Sequence, residues 1–213
     1  HNPSTAIAPL AFFEEAVAFC QQHNLVLVHD FPYGDMVFSD VQVPSILQAD
    51  RSKSVSIELF TMSKSYNMGG FRIGYAIGNR DLIQALRQVK AVVDFNQYLG
   101  ILHGAVAALN GDRMCVEQTV ATFKQRRDTF VTALDRIGWK VPTPFATMYI
   151  WAKLPPQWAH NSIDFCTELV CQTGVAASPG VGFGKSGEGY VRFALVHEPA
   201  KLQLAVDRMA KFF

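Results

Sequence analysis

SKSYNMGGFRIGYAIGN, residues 63 to 79, decides how this chain folds. It opens on Ser63 and Lys64, just past the apolar stretch SIELFTM (56–62), and contains a second apolar run, RIGYAIG (72–78). Both runs have the length and the β-branched or aromatic content of short strands. Only the nine residues from Ser63 to Phe71 separate them, which is short for a parallel crossover, so the second run is expected to lie antiparallel to the first. LVLVH (25–29) reads as a further strand, nearly all apolar and therefore expected to be buried on both faces. The 26 residues from Asp30 to Val55 leave room for a crossover, so this strand can run parallel to 56–62.

That topology gathers chemistry at one edge. Asp30 and Tyr33 follow the carboxyl end of one strand, Ser63 and Lys64 follow that of the next, and Arg72 starts the strand that enters from the same side. Open α/β sheets bind ligands there. Gly69 and Gly70 let backbone approach a ligand closely, Arg72 offers a planar fork for phosphate, and Ser63 can donate to the same oxygens. A lysine among such neighbours suits an amine that captures a phosphorylated aldehyde covalently. Each residue also has a purely structural reading. Asp30 can form a turn, Tyr33 can be a core aromatic, Arg72 and Arg192 can be surface ion-pair partners, and Asn2 before Pro3 can simply make a turn.

Four stretches, HNPST (1–5), HDFPYGDMVF (29–38), SKSYNMGGFRIG (63–74) and GEGYVRFAL (187–195), occur in order along the chain. Together they resemble the motifs of class I/II aminotransferases, the fold type I enzymes that depend on pyridoxal 5'-phosphate, and among these the bacterial aspartate and LL-diaminopimelate aminotransferases. The resemblance implies an α/β fold: residues 1–111 as the remainder of a large cofactor-binding domain with a mostly parallel sheet and one antiparallel strand, and residues 112–213 as a bridging helix and a small α+β domain. It implies that Lys64 holds the cofactor and moves the substrate's proton, that Asp30 keeps the pyridine nitrogen protonated, and that Tyr33 and Asn2 hydrogen-bond the ring's phenolic oxygen. Ser63 and Arg72 would hold the phosphate, and Arg192 would grip the substrate α-carboxylate as a bidentate fork that lysine cannot reproduce. One departure stands out. The family pattern is NPTG where this chain has NPST, which puts the local turn in doubt more than the role of Asn2.

Composition agrees with a globular protein: 49% hydrophobic, 17% charged, formal net charge +1. No basic footprint argues for nucleic acid, and no apolar run is long enough to span a membrane. Cys20, Cys115, Cys166 and Cys171 show neither CxxC nor zinc spacing and read as reduced thiols of a cytoplasmic protein. The six histidines include no HExxH, and His29 reads as a packed strand residue rather than a metal ligand.

Further along, FFEEAVAFCQQH (12–23) is expected to be a helix with Phe12, Ala16, Phe19 and Cys20 on its apolar face. Asn79 caps a helix through Leu82, Leu86 and Val89, a second covers Leu99 to Leu109, and a long one runs from Asp112 to Ile137, ending at Gly138. A strand around Thr147 to Ala152, a helix from Ser162 to Gly174, short strands at Val175 to Ala177 and Tyr190 to Leu195, and a helix from Pro199 complete the pattern. Glycines 180, 182 and 184 read as a flexible loop rather than a nucleotide-binding one, since no helix follows.

The expected activity is transfer of an amino group from an amino acid to a 2-oxo acid by a ping-pong mechanism, in a homodimer. Two alternatives use the same residues: a pyridoxal phosphate lyase acting on amino acids, and an aminotransferase-like sensing domain of a transcription regulator. Because HNPST matches a motif that lies mid-chain in the family, the sequence reads as the carboxyl-terminal part of a longer protein, and these 213 residues alone are expected to be inactive.

Overall fold

The computed structural model describes residues 1–212. The helices and strands follow in the order α1 (Leu10–Gln22), β1 (Leu27–Asp30), α2 (Ile46–Ala49), β2 (Ser56–Thr61), β3 (Gly74–Gly78), α3 (Arg80–Val93), α4 (Leu99–Asn110), α5 (Met114–Arg136), β4 (Tyr149–Lys153), α6 (Ser162–Thr173), β5 (Ser178–Pro179), β6 (Tyr190–Ala194) and α7 (Pro199–Met209). They form two compact units, Ile7–Thr119, and His1–Ala6 together with the chain from Val120 onward.

In the first unit the sheet order is β1-β2-β3. β1 runs parallel to β2 with Asp30 opposite Leu59, and β2 runs antiparallel to β3 with Thr61 opposite Gly74, as the loop lengths require. The start of β2 is fixed by the buried Asp50, whose carboxylate accepts from the Ser54, Val55 and Ser56 amides and from the Ser54 and Ser56 hydroxyls. Burial pushes this carboxyl's pKa up, but the hydrogen bonds outweigh it and hold the group well below the usual carboxylate range. Asn79 caps α3 as expected, its side chain accepting from the Asp81 and Leu82 amides.

Two expectations for this unit are corrected. Strand β1 is not buried on both faces: it begins only at Leu27, it is an edge strand, and Val28 is 56% exposed. A continuous apolar run reports burial only when neighbours cover both faces, and among the described residues the Val28 face is left open. In α1 Cys20 is buried as expected, but the rest of the buried stripe is Phe13 and Val17, packed with Ile46 of α2, while Phe12 and Phe19 are exposed. Two adjacent phenylalanines made both registers plausible by period alone, and packing against α2 selects Phe13.

The second unit holds the larger core. β4-β6-β5 form an antiparallel sheet, and α5, α6 and α7 contribute Phe130, Leu134, Phe165, Leu169, Leu202 and Val206 to the cluster that buries Ile150, Val191 and Phe193. The short strand expected at Val175 to Ala177 forms instead at Ser178–Pro179, where pairing with β6 sets its position. The glycine-rich segment after it is not an open loop. It forms two 3-10 turns, Gly180–Phe183 and Lys185–Gly187, in which the backbones of Gly180 and Gly187 approach so closely that a Cβ on Gly180 would lie 2.0 Å from the Gly187 carbonyl oxygen.

Candidate functional site

In the Ile7–Thr119 unit, the carboxyl end of the parallel pair β1-β2 carries the residues that the sequence singles out. Asp30 ends β1, exposed and with no hydrogen-bond partner for its carboxylate among the described residues. The chain then turns, and Tyr33 lies under Lys64, whose Nζ is 5.7 Å from the centre of the phenol ring. Lys64 is partly buried and its amine also has no hydrogen-bond partner among the described residues. Ser63 directly precedes it, its backbone N–H donating to Thr61 Oγ1 at 3.1 Å while its own hydroxyl stays uncommitted. Met62, buried in a cluster with Ile73 and Ala105, anchors the strand end from which both project.

Arg72 stands at the end of the turn Gly69–Phe71, in the left-handed region at φ 53°. This is an unusual conformation for a residue with a Cβ, and it aims the chain back into β3. One guanidinium nitrogen donates to the Gly69 carbonyl at 3.1 Å, leaving the remaining donors for an anion.

On the opposite face of β1, His29 is packed as expected, its ring 4.7 Å from those of Phe13 and Phe31. It also has a partner that the sequence reading missed. His29 Nδ1 is 2.7 Å from Oε1 of the wholly buried Glu58, which lies directly opposite on β2. The same carboxylate accepts from the Ser45 hydroxyl at 2.5 Å and the Ile46 amide at 2.9 Å, at the start of α2. Burial raises the pKa of Glu58, yet the bonds from His29, Ser45 and Ile46 win and leave it below the ordinary glutamate value. The network ties β1, β2 and α2 together one residue away from Asp30. Strand pairing was the available signal, because a histidine and a glutamate fall opposite once the parallel register is set.

The other unit contains a second cluster around Arg192. Its strand alternates as the sequence suggests, with Val191 and Phe193 buried and Arg192 on the other face. The guanidinium donates to Asn2 Oδ1 at 2.7 Å and to Ser178 Oγ at 3.3 Å, and its Nε is buried without a partner among the described residues. Its central carbon lies 4.4 Å from the ring centre of Tyr149 and 4.6 Å from that of Phe183. Asn2, Ser178, Tyr149 and Phe183 come from four separate segments, so no local motif announces their meeting. The turn at Asn2 survives the loss of glycine: Thr5 takes φ 61° and its amide donates to the His1 carbonyl at 2.8 Å.

All four cysteines are free, Cys20 and Cys166 buried, Cys115 and Cys171 exposed. Among the described residues no group of histidine, cysteine and acidic side chains is placed to hold a metal ion, and no helix is long and apolar enough to cross a membrane.

The Ile7–Thr119 unit thus combines a mixed sheet, helices packed on it, and a lysine, an acid, a phenol and an arginine at one edge, and comparison with known proteins gives the family. Residues 1–209 match the model for aminotransferase class I and II, and the chain belongs to that family. It is 44% identical to LL-diaminopimelate aminotransferase 2 of Trichormus variabilis over 98% of this chain and 53% of the relative. It is 39% identical to glutamate-pyruvate aminotransferase AlaC of Escherichia coli over 100% of this chain and 52% of the relative. Among solved structures, apo-BacF from Bacillus subtilis superposes with a TM-score of 0.94 at 35% identity, covering 100% of this chain and 54% of that one. A probable N-succinyldiaminopimelate aminotransferase from Thermus thermophilus gives 0.91 at 38% identity, covering 100% and 56%. The fold is therefore that of fold type I aminotransferases, and the chain spans about half the length of the relatives it matches.

Proposed function

We propose that the protein containing this chain is a pyridoxal 5'-phosphate-dependent aminotransferase that moves an amino group from an amino acid to a 2-oxo acid by a ping-pong mechanism. The observation that carries the reading is the gathering of Lys64, Asp30, Tyr33, Ser63 and Arg72 at one sheet edge, with the Lys64 amine and the Asp30 carboxylate both uncommitted. A free amine, a free carboxylate, a phenol, a hydroxyl and a guanidinium are the donor set that a phosphorylated pyridine aldehyde needs, so the residues fit the group. When bound, the cofactor supplies an electron sink for negative charge at the substrate's α-carbon.

Lys64 would hold the aldehyde carbon covalently and, once released by substrate, take and return the proton at the α-carbon. Asp30 would accept a hydrogen bond from the pyridine N–H and keep that nitrogen protonated. The Tyr33 hydroxyl and the Asn2 amide would donate to the phenolic oxygen. Because Asn2 Oδ1 is already engaged by Arg192, its NH2 is the end left to donate. Ser63 and Arg72 would hold the phosphate, and Arg192 the substrate carboxylate. Family membership supports a homodimer, and the free cysteines suit a reducing, cytoplasmic setting. The names of the relatives support LL-diaminopimelate or glutamate as donors and pyruvate as an acceptor, and the motif resemblance adds aspartate as a donor. We further propose that the 213 residues alone are inactive, since an exposed β1 edge leaves the catalytic groups without the neighbours that hold productive geometry.

The test is product analysis on the full-length protein with a nitrogen-15 amino acid, with and without a 2-oxo acid. Label appearing in a new amino acid only when the 2-oxo acid is present supports the proposal. Release of ammonia or carbon dioxide without any acceptor identifies a lyase instead and overturns it.

A further inference from the structure

The Arg192 cluster contains two aromatic rings that the proposed chemistry does not use. Arginine is a long side chain whose ordering on binding costs about 0.5–1.5 kcal/mol, so a site that needs its fork in one orientation gains from fixing it beforehand. Here the fixing is visible. Tyr149 lies on β4 diagonal to Arg192, beside the directly opposed Trp151, and is itself buried. Phe183 ends the first 3-10 turn of the glycine-rich segment, with its ring edge-on to Trp151 at 5.9 Å, and Trp151 in turn stacks on Tyr190 at 5.1 Å. The turn that carries Phe183 is locked from below. Glu188 accepts from the Ser162 amide at 2.7 Å, and the Ser162 hydroxyl receives the Val181 amide at 3.3 Å. Both ring centres lie well inside the roughly 6 Å at which a cation is attracted to an aromatic face. Two of the guanidinium nitrogens are tied to Asn2 and Ser178, while Nε is screened from water with no partner among the described residues.

We propose that Phe183 and Tyr149 are positioning residues that seat the Arg192 guanidinium for a carboxylate ligand. The inference rests on the reading of Arg192 as the substrate α-carboxylate site. The rings act on that site in two ways. They restrict the side chain before the ligand arrives, and they keep water from the fork, which strengthens its hydrogen bonds to a carboxylate. Phe183 is the more informative of the two because it is 39% exposed, so trimming it need not damage the core.

The experiment uses the full-length protein loaded with cofactor and reads equilibrium binding by absorbance. Two probes are compared: 2-methylalanine, which carries a carboxylate but no α-proton, and isopropylamine, the same amine without the carboxylate. Phe183→Leu is expected to weaken 2-methylalanine about three- to tenfold and to leave isopropylamine unchanged, while Phe183→Tyr, which keeps the ring, restores the wild-type value. With a reactive amino acid the loss should appear in KM rather than in kcat. Equal weakening of both probes by Phe183→Leu would show a merely structural role and overturn the proposal, as would no change in either. Arg192→Lys separates the two layers of argument. If it weakens 2-methylalanine strongly while Phe183→Leu does nothing, the carboxylate site stands and the aromatic seat falls. If Arg192→Lys has no effect, the carboxylate site itself is wrong.

Discussion

Replacing Glu58 by glutamine should loosen the strand that ends in Asp30, and the size of the effect follows from its three partners. Glu58 is wholly buried and accepts from His29, Ser45 and the Ile46 amide. Glutamine has the same shape, and its oxygen can go on accepting from Ile46 and His29 while its NH2 donates to the Ser45 oxygen. What disappears is the charge assistance, about 1–2 kcal/mol, given that bonds to a charged group are worth about twice neutral ones. Glu58→Ala removes the acceptor altogether, strands a buried amide and opens a cavity, for about 3–5 kcal/mol. The sign of the pH dependence is fixed by the lowered pKa. The charged carboxylate contributes stability above its unfolded value near 4.5, and that contribution is lost as pH falls through the lower folded value. The gap between wild type and Glu58→Gln should therefore be full at pH 7 and narrow toward pH 3. Tryptophan fluorescence would miss the effect, because Trp139, Trp151 and Trp158 all belong to the other unit. Hydrogen exchange at the Leu27 and Phe31 amides, which donate to the Val55 and Leu59 carbonyls of the neighbouring segment, reads it directly. Unchanged protection at pH 7, or a gap that does not vary with pH, would refute the reasoning.

Thr5 sits at φ 61°, where a β-branched residue is strained, so Thr5→Gly should raise stability by about 1 kcal/mol after the greater chain entropy of glycine is subtracted, and Thr5→Ala should not; thermal unfolding checks both. Gly180→Ala would place a Cβ 2.0 Å from one backbone carbonyl and 2.5 Å from another, neither able to yield, and should cost about 3 kcal/mol in denaturant unfolding. A thiol reagent at pH 8 should modify Cys115 and Cys171 quickly, whereas Cys166, whose thiol burial pushes up to about 11, should react only on unfolding.

The sheet around Lys64 was legible because loop length alone limits strand direction: nine residues between two apolar runs enforce an antiparallel pair, and the register then brings Asp30, Lys64 and Arg72 to one edge. Caps were legible for a similar reason, since Asn79 and Gly174 act on their immediate neighbours. What failed depends on partners distant in sequence. The exposure of Val28 reflects which surfaces are covered, and the choice of Phe13 over Phe12 reflects where α2 packs, neither of which a period reveals. The Arg192 surroundings were illegible because Asn2, Tyr149, Ser178 and Phe183 meet only after two strand pairings and a turn have formed.

The central claim is that Lys64 is the covalent anchor of pyridoxal phosphate. Borohydride reduction of the full-length protein with cofactor bound, followed by tryptic digestion and mass mapping, tests it most directly. The account predicts the reduced cofactor mass on the peptide spanning residues 54–72, uncleaved at Lys64, and its disappearance in Lys64→Ala. The same mass on a peptide containing Lys90 or Lys124, with residues 54–64 recovered unmodified, would contradict it.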